Sequence, residues 1–312
     1  MPTRSKASKL LGDILSRWQL YLFLVLPLAY LIIFAYVPMA GLQIAFKKYS
    51  AAPGMGIWGS PWVGFSQFKK FFSSYMFNRV LTNTVRISLY SLVAGFPIPI
   101  IFALALNSVT KRRYKKTVQM VTYMPYFIST VVLVGMLMQM MNPRIGIFGV
   151  AYKALTGTDA PNLIGLPDAF PNLYVWSGIW QNMGWSSIIY ISALASIDSE
   201  LHEAAQLDGA TRFQRILHID FPGIMGTAII LLIINSGQIM NVGFEKAFLM
   251  QNSLNQRTSE VISTYVYKVG LASGIQDFSY ATAIGLFNSL INFFIINVVN
   301  QLAKKASGEG LW

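Results

Sequence analysis

Six stretches of the chain contain no Asp, Glu, Lys or Arg, and each is long enough to cross a lipid bilayer. They are residues 18–46, 87–110, 117–143, 169–197, 221–244 and 278–303. A spanning helix needs about 20 mainly apolar residues at a rise of about 1.5 Å each. A seventh gap, 49–68, holds Pro53, Gly54, Gly56, Gly59, Pro61 and Gly64. That segment cannot satisfy its own backbone as a helix in lipid. Buried core helices of a soluble protein are the alternative, but these are usually shorter and carry a polar face. Composition points the same way: 12% of the residues are charged, roughly half the fraction of a soluble domain. The chain therefore reads as an all-α polytopic membrane protein with six transmembrane helices.

The N-terminus places Arg4, Lys6, Lys9 and Arg17 ahead of an apolar run, as a signal peptide does. The run is longer than a signal core and no small-x-small site follows, so a retained first span is expected. There is no cysteine, which excludes disulfides and thiolate metal sites. A net charge of +12 would raise nucleic acid as a partner in a soluble protein. Here much of it sits in short loops, where membrane orientation is the plainer explanation. No nucleic-acid partner is expected.

Spans are expected near 18–40, 84–108, 117–141, 174–195, 222–240 and 278–301. Six spans put both termini on one side. That side receives thirteen Lys and Arg, against ten on the other. Lys111, Arg112, Arg113, Lys115 and Lys116 lie directly beside two spans and decide the orientation: both termini cytoplasmic. The first external loop opposes this, and its segment 65–77 reads as a helix in the membrane interface with Lys69 and Lys70 in water. Pro97, Pro99 and Pro125 are expected to kink spans two and three. Such bends suit a bundle that opens around a path, and ordinary packing equally well.

Between spans four and five the chain turns polar, LHEAAQLDGATRFQRILHIDFP. Asp198 or Ser199 can cap a helix whose first turn holds Glu200 and Glu203. Ala204 and Ala205 add no bulk beyond Cβ, so this helix can approach another surface closely. Gly209 is a natural stop. Thr211 and Gln214 stand at capping-box spacing, and the second helix is expected to end at Pro222. The product is two short helices at an angle, a knob at the membrane surface. The plain alternative is an amphipathic interfacial helix.

The pattern E-A-A at Glu203, Ala204 and Ala205, D-G-A at Asp208, Gly209 and Ala210, then Ile219 and Pro222 resembles the coupling loop of ATP-binding-cassette (ABC) importer permeases. WVGFSQFKKFF, followed by Leu81, Thr82, Asn83 and Thr84 at the opening of span two, supports the match. Nearly the whole chain is similar to permease subunits of maltose-type carbohydrate importers, in the polysaccharide and oligosaccharide branch that includes alginate-type importers. Departures are Asp198, Phe221 and Gly226, where the family pattern often differs, and they bear on how stiffly the loop joins span five. The resemblance implies a type I permease fold and a bacterial cytoplasmic (inner) membrane location. It also implies a cytoplasmic segment 1–17, a transmembrane domain 18–303 with the coupling loop 198–221, and a cytoplasmic tail 304–312. Implied partners are a second homologous permease, two ATPase subunits, an external solute-binding protein, a carbohydrate substrate and the lipid bilayer. ATP and Mg belong to the ATPases, with no cofactor in this subunit. The chain has no G-x-x-x-x-G-K-[ST] phosphate loop. The loop 241–277 would contact the binding protein.

Polar residues inside spans are costly unless paired or wetted. Asn182 lies among Trp176, Trp180 and Trp185; Asn235 and Gln238 share a face, as do Asn288 and Asn292. Amides with aromatic rings suit a neutral or weakly charged glycan. Helix-to-helix hydrogen bonding is the competing reading for each residue. Asn182, Trp185, Asn235, Gln238, Asn288 and Asn292 are taken as the candidate path. A membrane enzyme acting on glycans would need paired carboxylates, an activated nucleophile or metal ligands. His202 and His218 show no acidic partner in a span, and Asp159 and Asp168 stand alone in external loops. No catalytic or metal site is expected. A permease of the same type for another solute, such as a peptide, stays open.

Overall fold

A computed structural model describes residues 16–274, 276–308 and 310–312. The basic N-terminal segment with Arg4, Lys6 and Lys9 falls outside these. Among the described residues the secondary structure is helical, apart from a lone bridge between Lys47 and Trp62. The first half comprises α1 (Trp18–Phe46), α2 (Ser66–Phe72), α3 (Tyr75–Asn107), α4 (Arg112–Phe127), α5 (Thr130–Met140) and α6 (Ile147–Thr156). The second comprises α7 (Phe170–Ala195), α8 (Ser199–Leu207), α9 (Arg212–Gly223), α10 (Met225–Ser236), α11 (Phe244–Met250), α12 (Ile262–Tyr267) and α13 (Phe278–Ser307).

Three of these, α1, α3 and α13, are uninterrupted apolar helices long enough to cross a membrane. Two further spans are broken, α4 from α5 by 99° and α9 from α10 by 56°. The sixth, α7, has 26 residues, about 39 Å of helix. It carries no charge, but three Trp, a Gln and two Asn lower its apolarity.

Proline acts differently at each site. In α3 the helix runs on: Phe96 N–H still bonds the Leu92 carbonyl at 2.9 Å, and Pro97 needs no donor. The third span departs from the expected single kinked helix. Pro125 lies in a 3-10 turn, Met124–Phe127, and the chain then swings away. The break is stabilised on both sides. Gln181 Nε2 donates to the Ile128 carbonyl at 2.8 Å, and the Ser129 side chain caps α5.

Of residues 65–77, expected as an interfacial helix, the amphipathic α2 turns one face into the bundle, while Phe65, Phe72, Lys69 and Lys70 are exposed. Phe68 and Phe71 are buried, and Phe71 packs edge-on against Phe77, Tyr280 and Phe287. Three rings converge on Phe71 and account for the burial of that face. Lys70 reaches Asp277 at 2.7 Å. Asn83 and Thr84, the pair that opens span two, fasten the segment between α11 and α12. Asn83 Nδ2 donates to the Arg257 and Glu260 carbonyls, both at 2.9 Å. Thr84 Oγ1 accepts from Ile262 N at 2.9 Å. The buried Glu260 carboxylate is met by Lys268 at 3.3 Å and Arg79 at 3.8 Å. The external acids meet cations and not other acids: Asp159 pairs with Lys153 at 2.9 Å and Asp168 with Arg257 at 3.6 Å.

At the opposite end, Ile100, Leu104, Tyr190, Leu194 and Ile224 form one buried cluster. This joins α3 and α7 to the foot of α10. By contrast, none of the apolar window of α1 is buried within the chain.

Candidate functional site: a coupling knob and a polar cavity

The knob between the fourth and fifth spans forms by the turn chemistry its residues dictate. Asp198 Oδ1 accepts from Glu200 N at 3.0 Å and caps α8. Ala210 N–H bonds the Ala205 carbonyl at 2.8 Å, and Gly209 N–H bonds the Gln206 carbonyl at 3.1 Å. This pair of bonds is a Schellman close, which needs a left-handed residue at its centre. Gly209, at φ 77°, supplies it. Thr211 and Gln214 complete a reciprocal capping box.

The second helix does not stop at Pro222 as expected. A π turn over Ile216–Asp220 lets Phe221 N–H bond the Ile216 carbonyl. The proline ring therefore displaces no established hydrogen bond, and the break falls at Ile224, φ −100°. Ile219 is half-buried on this turn, while Asp208 is exposed.

Glu203 and Ala204 are exposed and Ala205 half-buried. Around them Leu207 is 90% and Phe213 72% exposed. Two large apolar side chains flank a small-residue helix on a polar projection, and nothing among the described residues covers them. Behind this surface His202 is not without an acid: its Nε2 lies 3.3 Å from Asp220 Oδ1. Asn107 Nδ2, at the end of α3, reaches the same oxygen at 3.4 Å. Asp220 is buried and sits on the π turn, a position that linear spacing from His202 did not indicate.

Away from the knob, α3, α7 and α10 line a half-open cavity of about 760 Å³. Trp185, Asn235 and Gln238 line it, with Asn241, Ser88 and Ser91. A second cavity of about 280 Å³ shares Ser91, Tyr174 and Ser186 with the first. Asn182, Gln181 and Lys246 line this one. Four of the six expected path residues thus meet cavity space. Asn288 and Asn292 instead stand behind it. Both donate to Asn241 Oδ1, at 2.9 and 3.1 Å. Asn241 in turn donates to Gln238 Oε1 at 2.6 Å, and Asn292 accepts from Met240 N at 2.9 Å. The result is a relay of amides from α13 to the cavity wall. Amide orientation within it follows from the hydrogen-bond pattern.

Trp185 is held by close helix approach. A Cβ at Gly184 would overlap the Thr122 carbonyl oxygen. The bare glycine thus lets α4 touch α7, and Tyr126 stacks on Trp185 at 4.4 Å with 5° between planes. Trp176 is committed elsewhere, donating to Tyr90 Oη at 2.8 Å. Lys246 and Asn241 lie in a polar connection whose sequence carries no periodic pattern, so their inward placement had no signal.

A helical membrane bundle with a capped two-helix knob between its fourth and fifth spans defines the permease subunit of an ABC importer. Residues 95–308 match the family described as "Binding-protein-dependent transport system inner membrane component", and the chain belongs to that family. Protein LplB of Bacillus subtilis (strain 168) is 42% identical over 296 residues, 95% of this chain and 91% of that protein. The polygalacturonan/rhamnogalacturonan transport system permease protein YteP of the same organism is 36% identical over 309 residues. That match covers 99% of this chain and 95% of YteP. A crystal structure of a bacterial ABC transporter involved in import of the acidic polysaccharide alginate is similar in fold, with TM-score 0.87 and 37% identity. It covers 96% of this chain and 99% of that one. A second structure, of the alginate transporter with an alginate pentasaccharide-bound periplasmic protein, superposes equally well. The chain is a membrane permease, a non-catalytic subunit of a binding-protein-dependent transport system.

Proposed function

We propose that this permease passes an oligo- or polysaccharide delivered by an external binding protein, driven by ATP hydrolysis in two separate ATPase subunits. The observation that carries the coupling half is the uncovered surface of the knob: Glu203, Ala204, Leu207 and Phe213 together on α8 and its flank. ATP-driven closure of the ATPases would pull this surface, and the rigid capping on both sides of Gly209 would pass the movement to α7 and α9. Coupling requires contacts that differ between the two states. Asp208, Ala210, Ile219 and Pro222 shape the knob.

The substrate would cross by the two adjoining cavities, with Asn182, Trp185, Asn235 and Gln238 on their walls and Asn288 and Asn292 holding Asn241. Amide donors and acceptors beside a stacked Tyr126–Trp185 pair are the groups that hold a sugar ring. The relatives that are permeases for oligosaccharides and polysaccharides support the same substrate class. Both termini are placed in the cytoplasm. The Asn107–Asp220 contact supports this, because it sets the end of α3 beside the knob and brings Lys111–Lys116 to the same face. The uncovered α1 is assigned to lipid and to the second permease. ATP and Mg are assigned to the ATPases alone. The test is reconstitution of the full complex with its binding protein: glycans should stimulate ATP hydrolysis, and peptides should not.

A further inference from the structure

The smaller cavity holds a cation that neutral sugar hydroxyls do not call for. Lys246 leaves α11 and puts its ammonium against α7. Nζ donates to the Tyr174 backbone carbonyl at 2.8 Å and lies 4.8 Å from the centre of the Tyr174 ring. Gly178 makes the room: a Cβ there would stand 3.1 Å from Nζ. An ammonium has three donors, and one carbonyl engages one of them. Among the described residues no carboxylate forms an ion pair with Lys246, whereas Arg79 and the exposed Lys268 share Glu260. The buried Lys47 also has no acid among them, but its Nζ is held by two carbonyls, of Ile57 and Trp58, and lines neither cavity. The elements packed on α11 bring no acid to it. α5 contains none, α7 brings Tyr174, and α12 with the following turn brings Tyr265, Tyr267 and Lys268. Glu245, its neighbour in sequence, is exposed. A half-buried cation beside a ring face and a set of amides, with no counter-ion, is a site for an anion.

We propose that Lys246 binds a sugar carboxylate, so that the glycan passed by this subunit is acidic, a uronate-containing oligosaccharide. This rests on the carbohydrate reading above and sharpens it. Asn182 and Gln181, on the same cavity wall, would take the ring hydroxyls next to the acid. Gln181 already gives one amide N–H to Ile128, so its oxygen is the acceptor left to a ligand.

The test uses the complete complex with its own binding protein, reconstituted in liposomes. Stimulation of ATP hydrolysis is measured with oligogalacturonate, with its methyl ester, and with a neutral oligosaccharide of equal length. The wild type should respond to the acid over the ester. Lys246→Met should lose that preference, through a rise of about tenfold or more in the half-stimulating acid concentration, the size of one charge-assisted hydrogen bond. Lys246→Arg should keep it. Within each variant the ester is the internal reference, so poor assembly does not imitate the effect. A measurement on the unaltered protein guards against a variant that fails to fold: the preference for acid over ester should shrink as pH rises through about 8. Equal responses to acid and ester in the wild type, or an undiminished preference in Lys246→Met, would overturn the proposal and leave the carbohydrate reading standing. Silence with every glycan would overturn both.

Discussion

His202 Nε2 lies 3.3 Å from Asp220 Oδ1, so the helix that carries Glu203 is tied to the π turn beneath the fifth span. Asn107 holds the same carboxylate from the end of α3. Three segments of the bundle therefore meet at one buried acid, directly behind the exposed face of the knob. Force applied at Ala204 has a short route to two spans. Replacing Asp220 by Ala removes the common partner and leaves Asn107 and His202 unmatched. A cost of about 1–3 kcal/mol in stability is expected, read as a lowered unfolding temperature in detergent. ATP hydrolysis in the complex should respond less to loaded binding protein. A variant with unchanged stability and unchanged stimulation would remove this role from Asp220.

Glu203→Lys reverses a charge on the uncovered face of α8. The residue makes no contact that the bundle needs, so the subunit should still fold and reach the membrane. Transport should be lost, and the ATPase should no longer co-purify. Normal uptake by this variant would detach the knob from coupling.

Two glycines separate backbone strain from packing. At Gly209 nothing lies near a hypothetical Cβ, but φ is 77°. Gly209→Ala should cost about 1 kcal/mol, the left-handed penalty alone. At Gly184 the backbone is ordinary helix, and the added methyl would overlap Thr122 O. Gly184→Ala must push α4 from α7 and disturb the Tyr126–Trp185 stack, so its loss should be the larger, about 1–3 kcal/mol. Thermal unfolding and tryptophan fluorescence of the two variants side by side decide the order.

Burial pushes the Lys246 ammonium down from its ordinary value to about 8. The group is charged below that pH and neutral above it. Recognition of a sugar acid should therefore be full near pH 7 and fall as pH rises through about 8, while recognition of the ester stays level. Unfolding does not explain such a fall. The unfolded chain binds this proton more strongly than the folded one, so the same rise in pH favours the fold. An acid response that is flat from pH 7 to 9 would contradict the assignment.

Asn241→Ala should leave Asn288 and Asn292 without their shared acceptor and free Gln238 at the cavity wall. The expected outcome is weaker stimulation by every glycan, acidic or neutral alike. That pattern differs from Lys246→Met, which affects only the acid.

Some of this was legible in residue order, because its causes are local. Absence of charge over helix-length stretches marks the spans, since lipid charges several kcal/mol for each unsatisfied polar group. The caps and turn of the knob were readable, since Asp198, Gly209 and the Thr211–Gln214 box act on near neighbours, but the π turn at Ile216–Asp220 was not. Other features were decided only by tertiary packing. Whether Pro125 would bend or break its span depended on Gln181 recovering the carbonyl of Ile128, 53 residues before it. Phe68 and Phe71 are buried because Phe287 on α13 packs against both clusters they belong to. Asn288 and Asn292 became supports and not walls because Asn241 folds in front of them. Lys246 faces Tyr174, 72 residues away, and Asp220 faces Asn107 across 113. Helix periodicity and capping are written in near neighbours; a buried charge takes its meaning from whatever distant backbone arrives beside it.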